Sequence, residues 1–518
     1  MAFEDRQAIR SIVIVGGGTA GWITAGRIAA KHRANAPEGL RVTLIESPTI
    51  GTVGVGEGTW PTMRTTLKKV GISETQFIRE CDATFKQGAK FARWVNGRSD
   101  DYYYHPLVLP QGFQAVSLPA YWQERREELS FSAAVCHQEH VCEQGLAPKL
   151  ITTPEYGAVV NYAYHLNAGK FADFIKQHCV AKLGVNLILD DVTQVIGAAN
   201  GDIESVTTAN HGNISGDLFV DCTGFASLLL GKHLGVPFID KNHVLFIDNA
   251  LAVQVPYESE DAPVACQTIS TAQAAGWIWD IGLQHRRGVG YVYSSHHTSH
   301  EAAEQTLRDY VGPAIEKLSP RKIPIRSGHR RLFWKNNCVA VGLSAGFLEP
   351  LEASAIVLVE LSADMISEQL PPCRAVMDVT AKRFNETFQY RWDRIIDFLK
   401  LHYMLSQRTD SGFWEDNRSP QSIPESLREQ ISLWRYRPPG NYDFTSNNEV
   451  FPAASYQYVL YGMGFETDTR FLAHTMTERE LAEEQFKRNL LATRQALATL
   501  PKHRELLSKV RQYGFQTL

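Results

Sequence analysis

Residues 11–21, Ser11-Ile12-Val13-Ile14-Val15-Gly16-Gly17-Gly18-Thr19-Ala20-Gly21, place a β-branched strand directly before a glycine-rich turn. An alanine-rich helix pattern follows to about Lys31, and a second strand pattern ends on Glu46. This order is typical of a dinucleotide-binding unit. Within it, Gly16 permits the tight turn, Gly18 lets backbone N–H groups approach a pyrophosphate, and Gly21 lets helix and strand pack closely.

The residues after this turn indicate which dinucleotide is bound. Thr19 and Ala20 open the helix, whose positive end favours a pyrophosphate, and we assign both to the cofactor-binding set. Glu46 is placed to accept hydrogen bonds from ribose hydroxyls, and its charge repels a 2′-phosphate. The sequence therefore favours FAD or NAD over NADP.

Bulk composition excludes several classes of protein. The chain has 518 residues, a length at which two or three modules are expected. It carries 52 basic and 56 acidic side chains, a net charge of −4, so we expect neither nucleic acid nor an anionic membrane as its partner. The eight cysteines are scattered without metal-ligand spacing, and we expect no metal site. With no signal peptide or apolar span, a reduced, cytoplasmic enzyme is predicted. The oligomeric state, a homodimer included, stays open.

Two further strand ends rich in glycine, residues 217–225 and 338–346, resemble the first. Three dispersed ends of this kind suit one large FAD-binding module assembled from separate segments, which we place at residues 1–375. An antiparallel sheet is predicted over 245–295. Residues 376–518 form a mostly helical module, within which the aromatic segment 408–470 is expected to be irregular and to act as a lid or substrate wall.

A loop rich in glycine, Ile50 to Thr59, is expected to strap a ligand; the alternative is a solvated surface loop. Pro350 is expected in the first turn of a helix that continues beyond Ile356. Free N–H groups of Ser354 and Ala355 there suit a small anion, whereas Glu352 has two open interpretations, a reactive acid or an acid favoured by the helix dipole. Lys86 is either a solvated lysine or part of a partly buried strand.

Five motifs in fixed order then identify a resemblance. After the glycine motif come Gly54-Val55-Gly56-Glu57, Phe85-Lys86, Trp277-Ile278-Trp279-Asp280-Ile281 and Glu349-Pro350-Leu351-Glu352-Ala353-Ser354. Over residues 8–410 the chain resembles flavin-dependent halogenases of the tryptophan halogenase type, most of all bacterial members that act on free indole and small arenes. The resemblance implies an α/β fold: an FAD-binding domain like those of glutathione reductase and hydroxybenzoate hydroxylase, an antiparallel substrate sheet and a helical C-terminal module.

The same resemblance implies the activity and its partners. FADH2 supplied by a separate NAD(P)H-dependent flavin reductase would react with O2 and with bromide or chloride to give hypohalous acid. This oxidant would pass through a tunnel to a small aromatic substrate. Lys86 would hold it by a hydrogen bond or as a chloramine-type adduct, and Glu352 would polarise it or take the proton from the ring.

Further residues take roles by the same matching. Ser354 and Ala355 would bind the halide, Gly342, Leu343 and Ile356 would contact the flavin, and Val192 would lie near the adenine. Trp277 and Trp279 would separate flavin from substrate. His105 and Leu107 would lie beside the substrate ring, although His105 also suits an ordinary loop histidine.

Three departures from the family pattern bear on the substrate. Gly282 follows Ile281 where proline is usual, which is expected to soften the turn and loosen the barrier; Leu107 replaces an aromatic residue. We find no tyrosine–glutamate clamp for an amino acid backbone in residues 440–454. Unpaired desolvation of the charges of tryptophan is costly, so a neutral arene such as free indole is expected. Bromide is easier to oxidise than chloride, so bromination is favoured.

Two alternatives remain at this point. A flavin-dependent aromatic hydroxylase shares the fold but needs neither Lys86 nor a halide. A non-catalytic protein could reuse an FAD-type scaffold to bind a partner, and it would then fail to bind FAD.

Overall fold

A computed structural model describes residues 8–51, 56–446, 448–472, 474 and 476–516. The strands are β1 Ser11–Val15, β2 Arg41–Glu46, β3 Glu57–Gly58, β4 Thr84–Lys86, β5 Gly88–Ala92, β6 Tyr102–Pro106, β7 Ala163–Leu166, β8 Asn186–Leu189, β9 Val192–Gly197, β10 Ile203–Thr208, β11 Gly212–Ser215, β12 Leu218–Asp221, β13 Phe238–Asp240, β14 Asn249–Pro256, β15 Thr268–Gln273, β16 Gly276–Gly282, β17 Arg286–Tyr293, β18 Arg321–Pro324, β19 Gly328–Arg330, β20 Trp334–Lys335, β21 Cys338–Ala340 and β22 Gly346–Phe347.

The α-helices are α1 Thr19–Lys31, α2 Thr62–Val70, α3 Glu74–Glu80, α4 Leu118–Trp122, α5 Phe131–Val135, α6 Gln138–Glu143, α7 Ala168–Leu183, α8 His300–Val311, α9 Ser354–Glu368, α10 Arg374–Met404, α11 Gly412–Asn417, α12 Glu425–Trp434, α13 Ala453–Gly462, α14 Arg479–Thr499 and α15 His503–Tyr513. Among the described residues there is no helix that combines the length and the apolarity needed to cross a membrane.

A six-stranded sheet forms the base of the site. Its order is β20-β21-β12-β1-β2-β8, and all neighbouring pairs are parallel except β20 with β21. The β-branched residues of β1 are buried on both sides, as expected for a strand at the centre of a parallel sheet. Because β21, β12 and β1 are adjacent and parallel, the three glycine-rich strand ends predicted from sequence meet at one edge.

The second large sheet has the order β18-β14-β17-β16-β15-β5-β6. Its centre is the antiparallel sheet predicted over 245–295. The sheet as a whole is mixed, because β15 pairs in parallel with β5, a strand from nearly 180 residues earlier in the chain. Local alternation predicts strands well but cannot indicate such a distant pairing. β4, which ends on Lys86, belongs instead to a three-stranded sheet of order β3-β7-β4.

The C-terminal region is helical, with α10, α14 and α15 where helices are predicted. The prediction that residues 408–470 are irregular is wrong, because α11, α12 and α13 lie within this segment. These helices have 6 to 10 residues. Their buried aromatic side chains, among them Trp414, Trp434 and Tyr456, pack against the rest of the protein. Tertiary packing therefore stabilises helices too short for periodicity to reveal.

A buried ion pair supports the elements behind β4. The Lys149 ammonium lies 3.0 Å from the Glu74 carboxylate at the start of α3, and both side chains are fully buried. Hydroxyl groups of Tyr162 and Tyr164 also donate to Glu74, at 2.5 and 2.6 Å. Both tyrosine rings pack on Phe85, the residue before Lys86. The ion pair therefore holds in place the tyrosine rings that pack on Phe85, next to Lys86.

We expect Lys149→Met to be strongly destabilising, because it leaves the Glu74 charge buried without its cation. Removing one partner of a buried pair costs about 3–5 kcal/mol. The matched control is Lys509→Met, which breaks an exposed pair with Glu505 and should cost at most about 1 kcal/mol. Urea and thermal denaturation of the three proteins measure the difference, and equal midpoints for the two variants would contradict this account.

Candidate active site

The glycine turn after β1 forms an open cradle at the start of α1. Gly16 has φ +113°, and a Cβ there would lie 2.2 Å from the carbonyl oxygen of Cys222. A Cβ at Gly21 would lie 1.9 Å from the carbonyl oxygen of Gly16. At Gly18, by contrast, a Cβ would meet nothing within 4 Å, because this position faces a cavity. The turn thus fits a diphosphate that approaches the backbone at the helix N-terminus.

Glu46, at the end of β2, lies at the same cavity. Its two carboxylate oxygens contact the Trp22 indole N–H at 3.0 Å and the Lys176 ammonium at 2.7 Å. These contacts keep the carboxylate in place while each oxygen retains a lone pair for a hydroxyl donor. Lys176 was not predicted, because a lysine on an amphipathic helix gives no sequence signal for such a contact.

The cavity has a volume of about 660 Å³ and runs along the carboxyl edge of the parallel sheet. Of the residues predicted to contact a cofactor or halide, Gly21 packs behind the turn. The others line the cavity: Gly16, Gly18, Thr19, Ala20, Glu46, Val192, Gly342, Leu343, Ser354, Ala355 and Ile356. Gly342 has φ +74°, and a Cβ there would approach the Ala20 side chain to 2.7 Å. Segments far apart in sequence therefore enclose one elongated site with the shape and glycine cradle that a dinucleotide needs.

The structure describes only part of the predicted strap. Residues 52–55, which include Gly54 and Val55 of the family motif, lie outside the described residues. On either side of them, Ile50, Gly51, Gly56, Glu57 and Gly58 line the cavity. Burial raises the pKa of Glu57 to about 7.

Lys86 is one of the residues that line this cavity. Its side chain is buried, and the ammonium donates to the carbonyl oxygen of Thr59 at 3.2 Å. Gly58 is adjacent: a Cβ there would lie 3.4 Å from the Lys86 nitrogen. Burial lowers the pKa of Lys86 to about 8, although the negative charge of Glu352 opposes the shift. Lys86 is therefore a buried cation and not a solvated surface lysine.

Glu352 lies in the turn before α9. The helix begins at Ser354, so the expectation that Pro350 occupies its first turn is wrong; Ala353, with φ +54°, separates Glu352 from the helix. The carboxylate is buried, and its oxygen Oε1 contacts Nδ1 of His105 at 2.8 Å and Nε2 of His402 at 3.3 Å. Burial raises the pKa of Glu352, but the two histidines outweigh it and bring the pKa down to about 2.

Lys86 and Glu352 are thus near enough to interact electrostatically, yet each has its own partners. Among the described residues, the side chains in contact with the Glu352 carboxylate are the imidazoles of His105 and His402. The ammonium of Lys86 is satisfied by a neutral carbonyl group instead. Two opposite charges held out of water without mutual neutralisation can both act on a third molecule.

The start of α9 offers backbone donors at the cavity. Because the helix begins at Ser354, the N–H groups of Ser354 and Ala355 have no acceptor within the helix. Both residues line the cavity, and the positive helix end lies there. The geometry suits a small anion.

Trp277 and Trp279 lie on one face of β16, with ring centroids 6.5 Å apart. Trp279 lines the cavity, whereas Trp277 is buried behind it and donates to the Tyr403 hydroxyl at 2.9 Å. The expectation of a softened turn at Gly282 is wrong. Gly282 is the last residue of β16, accepts a hydrogen bond from Thr84 at 2.6 Å and packs so closely that a Cβ would lie 2.9 Å from Val264.

His105 and Leu107 lie on and just after β6. Both ring nitrogens of His105 are engaged within the protein, Nδ1 by Glu352 and Nε2 by the Ser455 hydroxyl at 2.9 Å. Leu107 is half-buried, and its N–H donates to the side chain of Gln138 at 2.6 Å.

Sequence reasoning missed the rings around this histidine. The ring centroids of Trp60 and Phe398 lie 5.8 and 5.6 Å from that of His105, and the Phe451 ring stacks on the Phe398 ring with their centroids 3.9 Å apart. His402 was also missed, since on a long helix of apolar spacing it suggests only a core residue. An aromatic ring in 408–470 was expected near the substrate, but its sequence position alone does not single out Phe451.

A separate cluster lies at the surface. His296, His297 and Asp416 each place one potential metal ligand within 4.8 Å of the others. The imidazole of His297 already contacts the carboxylate of Asp416 at 3.0 Å, so an ordinary surface pair accounts for the arrangement.

Comparisons with known proteins bear on this site as a whole. A family model described as tryptophan halogenase matches residues 11–478. A 7-chloro-L-tryptophan 6-halogenase of Kutzneria sp. (strain 744) is 34% identical over 96% of this chain and 99% of that protein.

Comparison with solved structures points to the same family. A tryptophan halogenase from Shewanella frigidimarina superposes with a TM-score of 0.96 at 51% identity, covering 99% of each chain. A tryptophan C-6 flavin-dependent halogenase (chlorinase) from taromycin biosynthesis superposes with a TM-score of 0.90 at 34% identity, covering 97% of this chain and all of that one.

Gly18→Ala should separate folding from cofactor binding. The backbone of Gly18, with φ −75°, accepts alanine, and the added methyl group would meet no protein atom but would project toward the cavity. We expect an unchanged thermal midpoint and at least a tenfold weaker affinity for FAD, measured by flavin fluorescence titration. Gly21→Ala is the contrasting variant: its methyl group collides with Gly16, so it should lose stability. Wild-type FAD affinity in Gly18→Ala would refute the cradle.

Proposed function

The chain belongs to the tryptophan halogenase family, and we propose that it halogenates an electron-rich neutral arene at the site formed by Lys86 and Glu352. As a flavin-dependent halogenase it is an enzyme that uses FADH2, O2 and a halide ion, and the usual arrangement is two-component, with a separate flavin reductase. The observation that carries the proposal is a pair of buried, opposite charges beside a dinucleotide-shaped cavity: Lys86 lines the cavity, and Glu352 lies in the turn between Leu351 and Ala353, which also line it.

FAD fits the cavity because Gly18 leaves the cradle open and Glu46 is fixed at its rim. In the proposed complex the cradle and the start of α1 hold the pyrophosphate, Glu46 the ribose, Val192 the adenine end, and Leu343, Ile356 and Trp279 the ring system. When bound, reduced flavin would supply two electrons to O2 and the halide ion two more, so that with one added proton the products are oxidised flavin, hypohalous acid and water. The N–H groups of Ser354 and Ala355 hold the halide through charge-assisted hydrogen bonds.

Lys86 positions the oxidant in this proposal. Lys86 lines the cavity, and a hydrogen bond from its ammonium group to hypohalous acid increases the electrophilic character of the halogen. Trp277 and Trp279 keep the arene away from the cofactor, so the small oxidant alone passes. Fixing its position selects the ring carbon that it meets.

Glu352 acts as the base. As the halogen bonds to a ring carbon, its bond to oxygen breaks and the oxygen leaves as hydroxide. The C–H bond at that carbon then breaks, its electron pair returns to the ring, and the proton moves to the carboxylate, from which it combines with the hydroxide to form water. A carboxylate with a pKa of about 2 is ionised at neutral pH and ready to accept it. His105, with Trp60, Phe398 and Phe451 around it, marks the side from which the ring approaches.

We propose a neutral arene, with free indole as the model substrate. The tyrosine and the two carboxylates in 440–454 are poorly placed to hold an amino acid backbone: Tyr442 is fully exposed, Glu449 accepts a hydrogen bond from Tyr390 at 2.6 Å, and Asp443 accepts one from Arg437 at 3.0 Å. Charged ammonium and carboxylate groups would therefore be desolvated without partners. Indole carries neither charge, and its C3 is the most nucleophilic carbon. Bromide, the more easily oxidised halide, is the proposed halide of choice.

Lys86→Met should retain FAD binding and lose halogenation. The methionine fills much of the space of the lysine stem but cannot donate to the oxidant, and losing one such donor costs about 100- to 1,000-fold in rate. Lys90→Met, on the next strand and paired at the surface with Glu143, is the matched control and should keep wild-type turnover.

The pH profile adds a second measure for the same residue. Burial lowers the pKa of Lys86 to about 8, so its protonated form is lost as the pH rises through 8. Wild-type halogenation should fall over that range. A wild-type rate in Lys86→Met would show that the lysine is not catalytic.

Substrate and halide preference can be measured directly. With a flavin reductase, NADH, FAD and O2, we expect faster conversion of indole than of tryptophan, and more brominated than chlorinated product when both halides are present at equal concentration. Mass spectrometry of the products gives both rankings. Faster conversion of tryptophan would overturn the substrate argument, and a hydroxylated product in halide-free buffer would favour an aromatic hydroxylase.

A further inference from the structure

Five buried side chains form one continuous chain of polar contacts through Glu352. The Tyr103 hydroxyl contacts Nδ1 of His402 at 2.5 Å, and Nε2 of His402 lies 3.3 Å from Oε1 of Glu352, an electrostatic contact outside hydrogen-bond geometry. On the other side, Nδ1 of His105 contacts the same Oε1 at 2.8 Å, and Nε2 of His105 contacts the Ser455 hydroxyl at 2.9 Å. The chain therefore has Glu352 at its centre and a hydroxyl group at each end.

These residues come from four parts of the fold. Tyr103 and His105 are two apart on β6 and so share one face of the strand, while His402 lies on α10 and Ser455 on α13. All five side chains are at most 4% exposed. Phe91 stacks on the Tyr103 ring at 4.8 Å and packs on His402 at 4.7 Å, which restricts both rings.

The hydroxyl groups determine how the histidines face the carboxylate. In a neutral imidazole the hydrogen bond at one nitrogen decides which nitrogen carries the proton. A Tyr103 hydroxyl that donates to Nδ1 of His402 leaves the N–H at Nε2, toward Glu352. A Ser455 hydroxyl that donates to Nε2 of His105 likewise leaves the N–H at Nδ1, also toward Glu352.

Both imidazoles meet the same carboxylate oxygen. Oε1 is thereby committed to the protein, and Oε2 is the oxygen left for a reactant. The other groups that act on Glu352 differ in kind: Lys86 contributes its charge from β4, and Trp60 donates to the backbone carbonyl of Glu352 at 2.8 Å. Neither of these fixes the orientation of the carboxylate.

We propose that Tyr103, His402 and Ser455 are positioning residues which, together with His105, hold Glu352 ionised with Oε1 occupied and Oε2 free to take the ring proton. The proposal deepens the function proposed above and rests on it for the identity of the proton donor. It requires only Glu352 among these five residues to accept the ring proton. It also gives both ring nitrogens of His105 a task within the protein.

The chain offers a matched pair of variants. Tyr103 and Tyr104 are adjacent on β6 and both are buried, but the Tyr104 hydroxyl donates to Glu143, away from this network. Tyr103→Phe and Tyr104→Phe therefore remove the same atom from neighbouring positions on opposite faces of one strand. A general effect on the strand would appear in both variants.

Infrared difference spectroscopy on the full-length protein at neutral pH decides the proposal. The carboxylate stretch of Glu352 is identified as the band lost in Glu352→Gln. We expect Tyr103→Phe to shift this band, because the proton of His402 is no longer held at Nε2, and Tyr104→Phe to leave it in place. An unshifted band in Tyr103→Phe, or equal shifts in both variants, would overturn the proposal.

Ser455 provides a second, smaller substitution should Tyr103→Phe fold poorly. Ser455→Ala removes the hydroxyl and should shift the same band, whereas Ser455→Thr keeps a hydroxyl and should restore the wild-type position. A shift in Ser455→Thr as large as that in Ser455→Ala would contradict the proposal. Steady-state assays with FAD and a reductase then measure the consequence: about a 10- to 100-fold lower kcat in Tyr103→Phe with little change in KM.

The halogenation assay and the infrared measurement test different claims, so either can give a negative result without the other. If the wild-type enzyme forms no halogenated product, the proposed function is wrong, but the infrared band still reports whether the network holds the carboxylate. If the wild-type enzyme halogenates and the band of Tyr103→Phe is unmoved, the function stands and the positioning role is wrong.

Discussion

Ionised groups removed from water must find partners, and at the centre of this protein that constraint applies to Lys86 and Glu352 together. Neither neutralises the other. Lys86 relies on the backbone carbonyl of Thr59, and Glu352 relies on two imidazoles that reach it from β6 and α10. The surrounding elements are needed because each supplies one of these partners or the apolar layer behind it, so the arrangement of charges determines much of the tertiary structure around it.

Much of the cofactor side follows from sequence, and the reasons are local. The turn at Gly16 to Gly21 and the acid at Glu46 lie in one short βαβ unit, in which spacing alone fixes the geometry. The later glycine-rich strand ends were also recognisable, since each carries a buried strand directly before it. Their convergence then needs only the rule that parallel strands place their carboxyl ends at one edge.

The substrate side could be predicted less well from sequence, because its contacts join residues that are far apart along the chain. Lys86 and Glu352 came from a family resemblance, but His402 and Ser455 carry no motif and become relevant only through packing. The short helices within 408–470 and the tight packing of Gly282 were missed for the same reason: neighbours far away in sequence stabilise them. Residues 52–55 lie outside the described part of the chain, and the ligand-binding role of the strap stays a prediction.

The contact between His105 and Ser455 joins residues 350 positions apart. At a translation rate of about 5–20 residues per second, β6 leaves the ribosome roughly 20–70 s before the helix that completes its surroundings. The parallel pairing of β5 with β15 likewise awaits a strand made much later. For most of its synthesis the nascent chain therefore has an incomplete sheet in which His105 and Tyr103 lack their later partners. A C-terminal truncation would remove both the catalytic arrangement and these late folding steps.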